Sequence, residues 1–318
     1  MKKYSIGIDL GGTKILSAII NNETGEIISC VKKKTKKEKG SQKIIKKLLE
    51  SIEELFEESD NKEEEISSIC VGAAGQTDRK NGILVSAVNL NCYNLNIKEK
   101  IQEKYNIPVF IGNDVEAATL GELNFGAAKG YKEVICIFVG TGIGSSIVHD
   151  GKIIRGYNGC AGEFGHIIVD LNGRPCACGG NGCLEAYASR SAIEKRIEGA
   201  LKKGQKSVIS EFLSDEKPIT SKMIKIAAEQ KDELVLRYVD EASEYLSGGI
   251  ASIINFYNPQ LIILGGGLIN AVDYFYEQVV KKSISKALPI SVKNMEFKKA
   301  GLGDFSGVIG ATFFEREI

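Results

Sequence analysis

Residues 7–20 read GIDLGGTKILSAII: an apolar run, a glycine turn that holds a threonine, then a second apolar run. The alternation predicts two strands, near 4–9 and 15–20, joined as a β-hairpin whose tip exposes backbone N–H groups. Glycine has no Cβ, so such N–H groups can turn inward as an anion nest, and the Thr13 hydroxyl adds a donor beside Gly11 and Gly12. Residues 136–148, CIFVGTGIGSSIV, repeat the pattern with Gly140, Thr141 and Gly142 in the turn. Two hairpins of one design predict two related half-domains facing one anion.

A third glycine cluster, Gly265, Gly266 and Gly267, follows the apolar strand LIIL. It reads as a strand-to-helix turn, as a place where a flat adenine or ribose approaches closely, or as both. The familiar nucleotide motifs are excluded. There is no G-x-x-x-x-G-K-[ST], and Gly142 and Gly144 are followed by Ile147 where G-x-G-x-x-G needs glycine. Asp9 closes the first strand beside the first turn, a position suited to holding Mg²⁺ through water against phosphates. Lys14, across the turn, either neutralises phosphate charge or extends to solvent.

The stretch PVFIGNDVEAATLGEL, residues 108–123, is a short buried strand running into a helix, with Asn113 and Asp114 at the junction. Both residues suit helix capping. Equally, Asp114 suits a base that accepts the proton of an attacking hydroxyl, with Asn113 bonding a neighbouring hydroxyl. The stretch alone supports both readings.

Composition narrows the ligand. In 318 residues, enough for two domains, 41 Lys and Arg balance 41 Asp and Glu, so neither nucleic acid nor an anionic membrane is an expected partner. The expected ligand is a small molecule. The first predicted strand begins almost at Met1 and no apolar run approaches the roughly 20 residues of a membrane helix, which reads as a cytoplasmic protein. The charge runs at 32–40 and 57–65 read as solvated surface.

Further strands are expected near 26–31, 66–72, 108–112, 133–139, 144–149, 152–154, 167–170 and 260–264, with helices near 41–58, 231–257 and 271–287. Residues 202–222 read as a loop or lid.

The cysteines fall into two populations. Cys30, Cys70, Cys92, Cys136 and Cys160 sit among apolar or small neighbours, as reduced core thiols do. Cys176, Cys178 and Cys183 instead crowd one stretch behind His166, which is one of only two histidines. Three thiolates and an imidazole make the soft tetrahedral set that structural Zn²⁺ prefers, and the glycines of CACGGNGC let the loop turn its sulfurs inward. Glu163 and Glu185 flank this cluster as carboxylates able to accept two hydrogen bonds from adjacent sugar hydroxyls, or as plain surface acids.

In order and spacing, DLGGTK, GAAG, GND, VGTGIG, GEFGH, CACGGNGCLEAYAS and LIILGGG resemble the ROK-family sugar kinases over essentially the whole chain, most closely the bacterial ROK glucokinases. The resemblance implies an α/β fold of the actin-like, hexokinase (ribonuclease H-like) type, with two α/β domains and an active-site cleft that closes on ATP and a hexose. It implies a small domain of residues 1–116 with a C-terminal helix at 300–318, and a large domain, 117–299, carrying the zinc loop. It assigns Asp114 as the base on the sugar 6-OH, with Asn89, Asn113, Glu163, His166 and Glu185 as sugar contacts and the glycine turns on ATP. His166 then has two tasks, one ring nitrogen on zinc and the other toward sugar, so that zinc organises the site without entering the reaction. The resemblance also implies a homodimer or homotetramer.

The chain departs from the family at Ala74, where proline is usual, and in VNLNCYN (88–94), where tryptophan is frequent; both bear on hexose preference. N-acetylmannosamine kinase and fructokinase share the motifs. Sugar-responsive repressors of the family carry a helix-turn-helix before the phosphate loop, for which Asp9 leaves no room, and a non-catalytic sensor would have no need of Asp114.

Overall fold

A computed structural model describes residues 2–35, 40–87, 90–213 and 219–317. The chain forms two compact units, one holding residues up to Gly130 and from Gly301 onward, the other Tyr131–Ala300.

In the first unit β1 (Tyr4–Leu10), β2 (Lys14–Asn21) and β3 (Ile27–Lys34) form an antiparallel meander, followed by α1 (Gly40–Glu57). Then come β4 (Ile66–Ala73), β5 (Gln76–Asp78), β6 (Ile83–Ala87), β7 (Cys92–Asn96), α2 (Ile97–Gln102), β8 (Val109–Asn113) and α3 (Asp114–Phe125). β4 pairs parallel with β1 and β8 parallel with β4, giving the order β3-β2-β1-β4-β8; β5, β6 and β7 make a separate antiparallel sheet. The amphipathic pattern of α1 explains its seat: Ile44, Leu48, Ile52 and Leu55 bury one stripe against Ile8, Ile19 and Val71 of the sheet.

The second unit repeats the plan. β9 (Val134–Val139), β10 (Ile143–His149) and β11 (Lys152–Ile154) form the meander. They precede α4 (Glu185–Ala188), α5 (Arg190–Lys202), α6 (Ser221–Glu229), α7 (Glu233–Tyr257), β12 (Leu261–Gly265), α8 (Gly267–Ala271), α9 (Asp273–Lys286) and β13 (Glu296–Lys299). β12 and β13 add in parallel, so the order β11-β10-β9-β12-β13 matches that of the first unit strand for strand. Both glycine turns lie at the same place, the tip joining the first two strands.

The chain then returns to the first unit as α10 (Ser306–Ala311), which packs against β1 and α3. This close approach needs glycine: a methyl group at Gly310 would overlap the Ala117 carbonyl, and one at Gly121 the Ser306 carbonyl. Glu122 of α3 is fully buried. Its carboxylate accepts from Ala127 N at 2.8 Å, Gly301 N at 2.9 Å, Leu302 N at 3.0 Å and Ser306 Oγ at 2.8 Å. It thereby ties together the two places where the chain leaves and re-enters this unit, and all of α3, past residue 116, belongs to it.

Several expectations change. Residues 167–170 form no strand but one bridge, Ile168 to Cys183, because this segment pairs with the cysteine loop. The helix expected over 271–287 is α9, and a short helix that was not expected, α8, precedes it, the two meeting at Val272. Cys70, Cys92 and Cys136 are buried, whereas Cys30 and Cys160 are exposed rather than in the core; Cys30 lies on the outward face of edge strand β3, where alternate side chains meet solvent. Within 202–222, residues 208–211 form a short 3₁₀ turn and 214–218 lie outside the described residues. Among the described residues no helix is long and apolar enough to cross a membrane.

Candidate active site and metal centre

Asn113 is the N-cap of α3: its Oδ1 accepts from Val115 N at 2.8 Å and Glu116 N at 3.2 Å, and its Nδ2 lies 3.4 Å from the Gly75 carbonyl oxygen. Capping is therefore done by Asn113, and Asp114 is the first helical residue. Asp9, at the end of β1, lies near enough to Asp114 for their charges to oppose each other. Burial first, then Asp114, push the Asp9 carboxyl up to about 7, against the opposing pull of Lys14.

The turn between β1 and β2 is closed by Gly11 N donating to the Lys14 carbonyl at 3.0 Å, with Thr35 Oγ1 donating to the Gly11 carbonyl at 3.1 Å. Lys14 Nζ is paired with Asp304 Oδ2 at 2.8 Å, a partner the sequence did not suggest because 290 residues separate them. That pairing holds the Asp304 carboxyl below its ordinary range. A part-buried carboxylate with a second carboxylate beside it fits a divalent cation, whose charge would offset both.

In the second unit the turn between β9 and β10 is closed by Gly140 N donating to the Gly142 carbonyl at 2.9 Å, and Thr141 is exposed at its tip. Glu185, the first residue of α4, reaches the base of this turn. Its Oε2 accepts the Ile143 N–H at 2.8 Å and its Oε1 lies 3.9 Å from Cys176 Sγ. A methyl group at Gly142 would occupy the place of Glu185 Oε2, so the turn's second glycine is required by that carboxylate. In the third cluster, Gly265 abuts the Phe138 ring and Gly266, at φ 89°, lies against Val139, while a methyl group at Gly267 would meet only Ser221 Oγ, at 3.8 Å. The first two therefore have packing reasons of their own.

His166, Cys176, Cys178 and Cys183 offer one ligand atom each, all within 4.8 Å of one another. His166 ends a 3₁₀ turn, Phe164–His166, and presents Nδ1 3.8 Å from Cys176 Sγ. The loop is drawn in by Cys176 N donating to Gly180 O and Val169 N donating to Gly182 O, both at 2.8 Å. Burial holds the Cys176 and Cys183 thiols above their ordinary range, while N–H donation from Gly180 lowers that of Cys178. The Cys₃His donor set fits Zn²⁺. The far side of the loop is braced by Tyr187, whose hydroxyl accepts from Arg174 N at 2.7 Å and lies 3.0 Å from Asp170 Oδ2. Glu163 is exposed at the rim of a largely apolar groove of about 780 Å³ lined by Phe164, Ile167, Tyr245 and Phe256. Asn89 lies outside the described residues.

The ROK family model matches residues 5–317. A glucokinase of Halalkalibacterium halodurans is 32% identical over 316 residues, covering 99% of this chain and 96% of the relative. The xylose repressor of Caldicellulosiruptor bescii is 30% identical, covering 96% of this chain and 76% of the repressor. Among solved structures, a ROK family glucokinase from Streptomyces griseus in complex with glucose and AMPPNP is similar with a TM-score of 0.86 at 30% identity, covering 99% of this chain and 100% of that one. The fold is the actin-like, hexokinase-type α/β fold of such sugar kinases.

Proposed function

The chain belongs to the ROK family, and from that premise we propose that it is an ATP-dependent hexose kinase that phosphorylates the 6-OH of glucose. The observation that carries the reading is the pair of carboxylates in the first unit, Asp114 opening α3 and Asp9 beside the glycine turn, with Asn113 engaged in capping. Asp114 accepts the 6-OH proton as that oxygen attacks the γ-phosphorus of ATP, the bond from phosphorus to the bridging oxygen breaks, and ADP leaves. Gly12, Thr13, Thr141 and Gly142 donate to phosphate oxygens from turns that Gly11 and Gly140 close, Lys14 adds charge and Gly265, Gly266 and Gly267 admit the nucleoside. Asp9 would hold Mg²⁺, which supplies neutralisation of phosphate charge.

Asn89, Asn113, Glu163, His166 and Glu185 are the sugar contacts of this reading, and a structural Zn²⁺ on His166, Cys176, Cys178 and Cys183 would fix the His166 ring. The same family membership supports a homodimer or homotetramer in the cytoplasm.

The test is ADP release with Mg·ATP against glucose, N-acetylmannosamine, fructose, mannose and allose, compared as kcat/KM. Preference for glucose is the expected result; preference for another hexose moves the substrate and keeps the mechanism. Binding of a sugar without turnover of any would favour a regulator, a reading the similarity to a xylose repressor keeps in play.

A further inference from the structure

We propose that Arg190 is the phosphate-binding cation of the second glycine turn, an inference that rests on the kinase reading for the identity of the phosphate. The turn from Gly140 to Gly142 has no cationic side chain of its own. The structure brings one from α5: an Arg190 terminal guanidinium nitrogen donates to Thr141 Oγ1 at 3.0 Å, and the Arg190 backbone N–H donates to the Gly140 carbonyl at 2.9 Å. Arg190 Nε lies 3.2 Å from Glu194 Oε1, and the side chain is about a quarter exposed (26%).

Arginine only donates, so Thr141 Oγ1 is the acceptor in this contact and its own hydrogen points elsewhere. Thr141 thereby becomes a donor oriented at an exposed turn. A methyl group at Gly140 would meet nothing within 4 Å, so the surface over the turn is open to a ligand. The guanidinium carries five N–H donors in a rigid fork, more than these two side-chain contacts use, and that fork matches phosphate oxygens.

Helix stability does not account for the residue. Arg190 is the first residue of α5, where a cation opposes the helix dipole, and Ser189 already caps the helix through Ala192 N at 3.1 Å. Arg190 preceding Glu194 by four positions is also the weaker orientation for such an ion pair. A nucleoside polyphosphate at the turn accounts for all three features: the opposed dipole, the oriented hydroxyl and the open surface.

The experiment is calorimetric titration of ADP and of adenosine into the wild type, Arg190→Met and Arg190→Gln, alongside KM values for Mg·ATP and glucose. Charge-assisted hydrogen bonds of this kind are worth about tenfold or more in binding. Arg190→Met is expected to weaken ADP about tenfold or more and to raise KM for Mg·ATP, with adenosine affinity and KM for glucose within about twofold of wild type. Arg190→Gln keeps a donor for Thr141 while removing the charge, and is expected to weaken ADP likewise, which preserves the test if the methionine variant does not fold. ADP affinity unchanged in either variant, or adenosine weakened as much as ADP, overturns the proposal. An Arg190-dependent ADP affinity in a protein that phosphorylates no hexose would leave Arg190 in place and remove the kinase reading. Normal turnover with ADP binding indifferent to Arg190 would do the reverse, and a wild type that binds no ADP removes both.

Discussion

Glu185 Oε2 accepts the Ile143 N–H at 2.8 Å while Glu185 Oε1 faces Cys176 Sγ at 3.9 Å, so one carboxylate joins the cysteine loop to the base of the second glycine turn. Gly142 leaves room for that carboxylate and has an ordinary negative-φ backbone. Gly142→Ala should therefore displace the end of Glu185 rather than strain the main chain. Expected are a stability change of under about 1 kcal/mol and a fall of about tenfold or more in kcat/KM. Activity equal to wild type would show that the contact is dispensable.

Asp114→Asn should keep sugar and nucleotide affinities within about threefold and reduce kcat by about 10² to 10⁴. Asparagine retains the helix start, since capping falls to Asn113. Turnover unaffected by this change, measured by ADP release, removes the base assignment.

Asp9 makes stability depend on pH. Its folded carboxyl titrates at about 7 against an ordinary 3.8, so the folded state holds the proton more tightly than the unfolded chain. The favourable contribution is fully present below pH 3.8 and is lost as pH rises through 7. At pH 8 the metal-free Asp9→Asn protein should be more stable than wild type by about 1–3 kcal/mol, and the difference should shrink toward pH 4. Urea unfolding at both pH values reads this, and a difference independent of pH would contradict it.

Loading the cysteine loop must expel protons, because burial keeps Cys176 and Cys183 protonated at neutral pH. Adding Zn²⁺ to reduced, metal-free protein in weak buffer should release about two or more protons per ion, with affinity falling as pH is lowered. Cys178→Ser should bind substoichiometric zinc by elemental analysis and raise the sugar KM. Full activity of the zinc-free protein would sink the organising role.

Glu122 takes four donors at full burial, and Glu122→Gln turns one acceptor edge into an amide donor facing N–H groups. The expected cost is about 2–4 kcal/mol in chemical denaturation. A cost under about 0.5 kcal/mol would mean that the neighbouring backbone relaxes to other partners.

The parts of this fold legible in the sequence are those with strict local periodicity. The two hairpins alternate cleanly and α1 and α7 show long apolar stripes, so each was placed within a few residues. The sheet of β5, β6 and β7 was missed because residues 76–96 hold five Asn, which break up any strand alternation, and β13 because EFKK carries charge on a four-residue edge strand. In the candidate site, the Cys₃His cluster was readable since its four residues lie within 18 positions of one another. Asp304, Arg190 and Glu122 were not, because their partners lie 290, 49 and up to 184 residues away and no local pattern marks such contacts. Only Arg190 left a trace, a cation where a helix start disfavours one.

The return of the chain to its first unit sets an order on biogenesis. Tyr131–Ala300 is continuous, and its sheet is complete when β13 has been made. The unit begun first lacks α10 and the Glu122 partners Gly301, Leu302 and Ser306 until residues 301–311 have emerged from the ribosome. During synthesis the later unit should therefore mature first, while the earlier one waits with the apolar surface that α10 will cover still open, a surface suited to transient chaperone contact.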